Sequence, residues 1–306
     1  MNTTPSFTHT LRQRWQAADS MLCVGLDPDP ARIPAHLGTG PEAIDRFCRD
    51  IIAATADTVC AFKPQIAYFA ALGAEDVLAG LIAHIHAEHP GIPVILDAKR
   101  GDIGSTARQY GVEAFDRFKA DALTLSPFMG FDSIEPYFEW AGRGLILLCR
   151  TSNPGGNDLQ ALSVLPAGDA TGTPSGAPSP RQSASDTASS TQPEKLYEHL
   201  ARLAAGPWNV NGELGLVVGA TFPDELARVR TLAPRLPLLV PGVGAQGGDV
   251  NATVRAGLDA DGYGLVINSS RAILYAGQST DFADQARKAA VATRDAIRAA
   301  RDAARA

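Results

Sequence analysis

The run Asp97-Ala98-Lys99-Arg100-Gly101-Asp102, continued by Ile103-Gly104-Ser105-Thr106, sets two carboxylates and an amine at a spacing where they can act on one ligand. It follows Ile92-Pro93-Val94-Ile95-Leu96, an apolar run that reads as a buried parallel strand, and the charges begin where that run stops. Residues two apart on a strand share a face, so Asp97 and Lys99 are expected to point the same way. Gly101 and Gly104 permit a tight turn. Charges at the mouth of a buried strand are costly unless they pair with each other or with a ligand. A lysine flanked by carboxylates keeps its proton at neutral pH, because neighbouring negative charge favours the cation. That suits a proton donor better than a Schiff-base nucleophile, which needs a depressed pKa. A salt-bridged strand end would carry the same residues, so the choice rests on what the other strands bring to the same place.

Seven further apolar runs have the same form. Met21 to Asp27 is a strand that ends in a carboxylate, and Thr58 to Pro64 one that ends in Lys63. Ala122 to Leu125 leads into Ser126-Pro127, and Gly144 to Cys149 into Arg150-Thr151-Ser152-Asn153. Leu214 to Gly219, Leu238 to Pro241 and Tyr263 to Asn268 complete the set. Helical segments lie between them, at about 42–57, 67–72, 74–88, 107–118, 195–208, 223–231 and 249–256, with a lead-in helix near residues 7–17. Eight short strands alternating with helices predict a closed (β/α)8 TIM barrel, a single domain over residues 1–306. In that fold the carboxyl ends of the strands form one rim, where the active site lies. Asp27, Lys63, Asp97, Lys99, Ser126, Gln246 and Arg271 all fall there, and this convergence favours chemistry over an isolated ion pair.

The exits of the last two strands are the usual phosphate site of the barrel. Gly242-Val243-Gly244-Ala245-Gln246-Gly247-Gly248 offers backbone N–H groups that can approach an anion closely, and Arg271 can fork onto phosphate oxygens. No metal cage is expected. His84 and His86 do not share a helical face, and His86 and His89 lack a third ligand at helical spacing.

Composition narrows the class. The 306 residues are 45% hydrophobic, enough for a large core, and carry a net charge of -6, which argues against a nucleic-acid binder. No apolar run approaches the roughly 20 residues of a membrane span. Residues 1–20 lack the apolar middle of a secretory signal. Cys23, Cys48, Cys60 and Cys149 show no C-x-x-C spacing and read as free thiols, so a cytoplasmic location is expected. From about 165 to 192 the chain turns to Ala, Ser, Pro, Thr and Gly, and is expected to be a mobile insertion in one connection. Residues 281–305 read as an Ala- and Arg-rich amphipathic helix.

The chain resembles the orotidine 5′-phosphate decarboxylases, in particular their longer bacterial branch. The resemblance rests on Gly25-Leu26-Asp27-Pro28, Phe62-Lys63-Pro64-Gln65, the run from Asp97 to Thr106, Thr151-Ser152-Asn153-Pro154-Gly155, Pro241 to Gly248, and Asn268-Ser269-Ser270-Arg271. It implies conversion of orotidine monophosphate to uridine monophosphate and carbon dioxide without metal or organic cofactor. It further implies an alternating tetrad of Lys63, Asp97, Lys99 and Asp102, with Lys99 as proton donor. Asp102 would be donated across a homodimer interface, with Ile103 and Thr106. Asp27 and Lys63 would hold ribose hydroxyls, Ser126 the pyrimidine edge, and Pro241, Gln246 and Arg271 the phosphate end. A sugar-phosphate decarboxylase or aldolase on the same barrel, which would normally recruit magnesium, is the competing expectation.

Overall fold

The computed structural model describes residues 6–165, 192–243 and 248–305. Among the described residues there are ten strands: β1 (Leu22–Leu26), β2 (Ala61–Pro64), β3 (Ile95–Arg100), β4 (Ala122–Leu125), β5 (Gly144–Arg150), β6 (Ser163–Val164), β7 (Glu194–Lys195), β8 (Leu214–Val218), β9 (Leu238–Pro241) and β10 (Leu265–Ser269). All but β6 and β7 form one parallel sheet in the order β2-β1-β10-β9-β8-β5-β4-β3. Single parallel bridges, Phe62 to Val94 and Gln65 to Asp97, join the two ends of that order. The eight-stranded barrel expected from the alternation is therefore the fold observed. β1, β2, β4 and β8 are buried along their whole length, as near-continuous apolar runs require in a sheet covered on both faces.

The outer layer is helical: α1 (Phe7–Ala18), α2 (Gly40–Thr55), α3 (Ile66–Ala70), α4 (Glu75–Glu88), α5 (Gly104–Gly111), α6 (Leu196–Ala205), α7 (Pro223–Leu232), α8 (Val250–Gly257), α9 (Arg271–Leu274) and α10 (Phe282–Arg305). α1 turns Phe7, Leu11 and Trp15 inward, one residue per turn, and its N-terminus is capped by the Ser6 hydroxyl. α10 packs against α2 and α8 through Phe282, Ala286, Ala290, Ile297 and Ala300, where short side chains permit close approach. Arg301 and Arg298 on α10 both reach Asp19, at 2.5 and 2.7 Å, and tie the last helix to the turn after the first.

Two departures from the sequence expectation bear on function. The third strand does not stop before its charges: Asp97, Ala98, Lys99 and Arg100 belong to it. Its ladder to β4 is bulged there, for Leu96 pairs with Leu123 and Arg100 with Leu125, so three residues of β3 face Thr124 alone. The helix expected over 107–118 begins at Gly104, which has φ +54°, and passes into a π-helical turn at Val112–Arg117. The core of the low-complexity insertion, 166–191, lies outside the described residues. Its flanks do not: β6 and β7 pair antiparallel, Ser163 with Lys195 and Val164 with Glu194.

Candidate active site

Three neighbouring strands build the charged centre. Lys63, on β2, is buried, and its Nζ donates to Asp97 Oδ2 at 2.8 Å. Lys99 Nζ donates to the other carboxylate oxygen, Oδ1, at 2.6 Å. The Thr124 hydroxyl, on β4, donates to the same Oδ1 at 2.9 Å. Asp97 therefore accepts three hydrogen bonds, two of them charge-assisted. Burial alone would push the Asp97 carboxyl up, but Lys63 and Lys99 outweigh it and hold it well below the usual carboxylate range. For Lys63 burial acts downward, the charges of Asp97 and Asp27 act upward, and the charges win. Both groups are thus ionised at neutral pH, in a setting where either alone would be strongly destabilising.

Lys99 takes an unusual backbone conformation to join this centre. Its φ is +47°, in the left-handed region that costs a residue with a Cβ on the order of 1–3 kcal/mol. The bulge breaks the simple alternation of faces, yet the Lys99 amine still returns to Asp97, as the two-residue spacing led one to expect. Arg100, the next residue, turns outward: it pairs with Glu113 at 2.8 Å and lies over the Tyr110 ring. Gly101 follows, and a Cβ there would come to 3.0 Å from the Ser126 carbonyl oxygen, so a larger residue would have to push the two strand exits apart by a few tenths of an ångström.

The centre opens into a cavity of about 480 Å³, whose lining includes Lys63, Asp97, Lys99, Thr151, Asn153 and Pro241. Its far wall is carried by the segment after β5, which Arg150 anchors. That guanidinium is buried, pairs with Glu225, donates to Asn157 Oδ1 at 2.6 Å and stacks on Phe222. Gln160 accepts from the Thr151 amide at 2.8 Å and holds the segment over the cavity. A second, mainly apolar cavity of about 490 Å³ adjoins the first, since Leu148 and Gln160 line both.

The expected site residues are distributed as follows. Lys63, Asp97, Lys99 and Pro241 share the cavity. Asp27 follows β1, with a buried Oδ1 that has no hydrogen-bond partner among the described residues. Ser126 borders the apolar cavity, and its amide donates to the Arg100 carbonyl at 2.7 Å. Asp102 makes no ion pair with Lys99 within this chain; its carboxylate accepts the Ile103 amide at 2.8 Å. Thr106 is exposed on the first turn of α5. Arg271 is exposed at the start of α9, three residues after Asn268, which is in register with Pro241. Gln246 lies outside the described residues. Thr124, Gln160 and Arg150 were not singled out as functional in the sequence. The polar triplet Thr151-Ser152-Asn153, which could have been a turn cap, lines the cavity instead.

No group of three metal-ligating side chains gathers among the described residues. His86 is half-buried and meets Asp121 Oδ2 at 2.9 Å. The four cysteines are free and buried, and burial pushes the Cys23 thiol up to about 12, so it stays protonated. No described helix is long and apolar enough to cross a membrane.

Fold and cleft together define a (β/α)8-barrel protein with an ammonium–carboxylate–ammonium centre at the carboxyl ends of its strands. Residues 20–171 match the orotidine 5′-phosphate decarboxylase / HUMPS family. The chain is 62% identical, over 93% of its length and 96% of the relative's, to the orotidine 5′-phosphate decarboxylase of Azoarcus sp. (strain BH72). It is 59% identical to that of Dechloromonas aromatica (strain RCB), over 94% of this chain and 96% of the relative. The solved structure of Leishmania donovani OMP decarboxylase superposes with a TM-score of 0.76 at 40% identity, covering 97% of this chain and 99% of that one. The chain belongs to the orotidine 5′-phosphate decarboxylase family.

Proposed function

We propose that this protein converts orotidine 5′-monophosphate to uridine 5′-monophosphate and carbon dioxide, a step of pyrimidine biosynthesis, with Lys99 as the proton donor and no cofactor. One observation carries the reading: a single carboxylate, Asp97, fixes two amines at 2.8 and 2.6 Å at the mouth of the cavity. When the bond from carbon 6 of the pyrimidine to its carboxylate breaks, the electron pair stays on carbon 6. An ammonium fixed beside that carbon stabilises the developing charge and then transfers its proton there, and the neutral amine regains a proton from solvent. Asp97 would lie near the leaving carboxylate and keep Lys99 oriented. Lys63 and Asp27 would take ribose hydroxyls; the orphaned Asp27 Oδ1 suits such a donor. Ser126 would meet the pyrimidine edge. Arg271, Gln246 and the backbone near Pro241 would bind the phosphate, and that remote binding energy would be expressed in the transition state.

A homodimer completes the reading. Asp102 is not spent on Lys99 within its own chain, and Ile103, Phe128 and Met129 are exposed close to it in sequence or across the strand exits. Asp102 of the partner subunit would then close the tetrad.

The test is direct. Purified protein should consume orotidine monophosphate, followed by loss of its absorbance, with uridine monophosphate as product and no loss of rate in a chelator. Activity that disappears with chelation and returns with magnesium would favour the sugar-phosphate chemistry instead.

A further inference from the structure

Lys99 reaches Asp97 from a backbone that is bulged and left-handed, and one side chain meets that distortion. Thr124 stands alone on β4 opposite Asp97, Ala98 and Lys99. Its hydroxyl accepts the backbone N–H of Ala98 and that of Lys99, both at 3.0 Å. It donates its own proton to Asp97 Oδ1 at 2.9 Å. A threonine hydroxyl has two acceptor sites and one proton, and all three are used. In a regular strand successive amides point to opposite edges, each to a carbonyl of a different flanking strand; here the bulge turns both toward β4, and the hydroxyl takes the place of those carbonyls. The side chain is 1% exposed, and β-branching restricts its rotation, so the node is stiff.

We propose that Thr124 is a positioning residue: its hydroxyl holds the left-handed turn at Lys99 that aims the amine at Asp97 and into the cavity. The inference rests on the decarboxylase reading for its kinetic consequence, though not for its geometric one. Valine at this position keeps the shape and β-branching of threonine but offers neither acceptor nor donor. Two amides would lose their acceptor, and the backbone would gain by returning to a right-handed or extended conformation, which swings Lys99 away. Serine keeps the hydroxyl and should keep the node.

Thr124→Val should lower kcat on orotidine monophosphate by about 100-fold, the scale of a displacement of roughly 1 Å at a reacting group. KM and the affinity for uridine monophosphate should change less than about threefold. Thr124→Ser should restore kcat to within about fivefold of wild type. A Val variant with wild-type kcat would overturn the assignment, as would a Ser variant impaired as badly as the Val one. So would equal losses of kcat and nucleotide affinity, which mark general damage. Crystal structures of the two variants read the same claim without turnover: Lys99 φ should leave the positive region in the Val protein and stay there in the Ser protein. Should the Val protein not fold, the Ser structure alone decides, since a displaced Lys99 with the hydroxyl present would refute the role. A wild-type protein inactive on orotidine monophosphate would overturn the decarboxylase reading while leaving the crystallographic comparison able to decide on Thr124.

Discussion

Lys99 and Arg271 are both cations just past or within the last turn of a barrel strand, but they are held in opposite ways. Lys99 sits in a network already formed without substrate: Asp97 takes its amine, Lys63 the other oxygen, and Thr124 its backbone. Arg271 is exposed, forms no ion pair among the described residues, and begins a helix of only four residues. The Lys99 end is built for a fixed charge; Arg271, which our proposal sets at the phosphate end, offers a charge still to be used. Electrostatic catalysis needs the first arrangement, because dipoles and charges already in place cost no reorganisation at the moment of reaction. Ligand capture needs only the second, since the ligand supplies the missing partner.

Substitutions at the two ends should therefore fail differently. Lys99→Ala should abolish measurable turnover while uridine monophosphate still binds, within about tenfold by calorimetry. Substantial decarboxylation by that variant would erase the distinction between the ends. Arg271→Ala should weaken binding of uridine monophosphate by about 10- to 100-fold and of uridine hardly at all, as the loss of a charge-assisted contact to phosphate predicts. Equal losses for nucleotide and nucleoside would remove Arg271 from the phosphate end.

The smallest effect is a pH dependence that belongs to the built end alone. The folded-state pKa of Asp97 lies below its unfolded value of about 3.9, so its stabilising contribution is complete above that value. It is lost as the pH falls from there through the lower folded value. Asp97→Asn should therefore show a shallower loss of unfolding free energy between about pH 4 and pH 2 than wild type. No such change should accompany Arg271→Ala. Chemical denaturation across that range measures both, and an unchanged slope in the Asn protein would mean that the buried pairing does not stabilise the fold.

The two ends also differed in how far the sequence revealed them. The eight apolar runs, the polar residues past most of them and the alternation with helices were enough to close the barrel, because a strand buried on both faces has few other readings. Asp97 and Lys99 were legible as a pair from their spacing. The bulge was not, since charged residues after an apolar run read as the end of a strand, and β3 continues through Arg100. Nor was the left-handed backbone at Lys99, because lysine gives no signal for positive φ as glycine or asparagine would. Thr124 was hidden in plain composition: a β-branched residue in Ala122–Leu125 is what any buried strand contains. Arg150 drew no functional reading from the sequence, and its charge is consumed inside the wall by Glu225. Residues whose role lies in what they touch across the sheet leave little trace along the chain.

The short antiparallel ladder between β6 and β7 has a consequence for how such a chain can change. It brings Val164 and Glu194 together, so the outermost paired residues already meet at the base of the intervening stretch. Closing a longer excursion on a base that is already clamped adds only about 0.6 kcal/mol for each doubling of its length. The barrel is thereby insulated from whatever its lineage adds or deletes between those two residues: growth there is nearly free of thermodynamic penalty and need not shift the wall formed by Thr151 and Gln160.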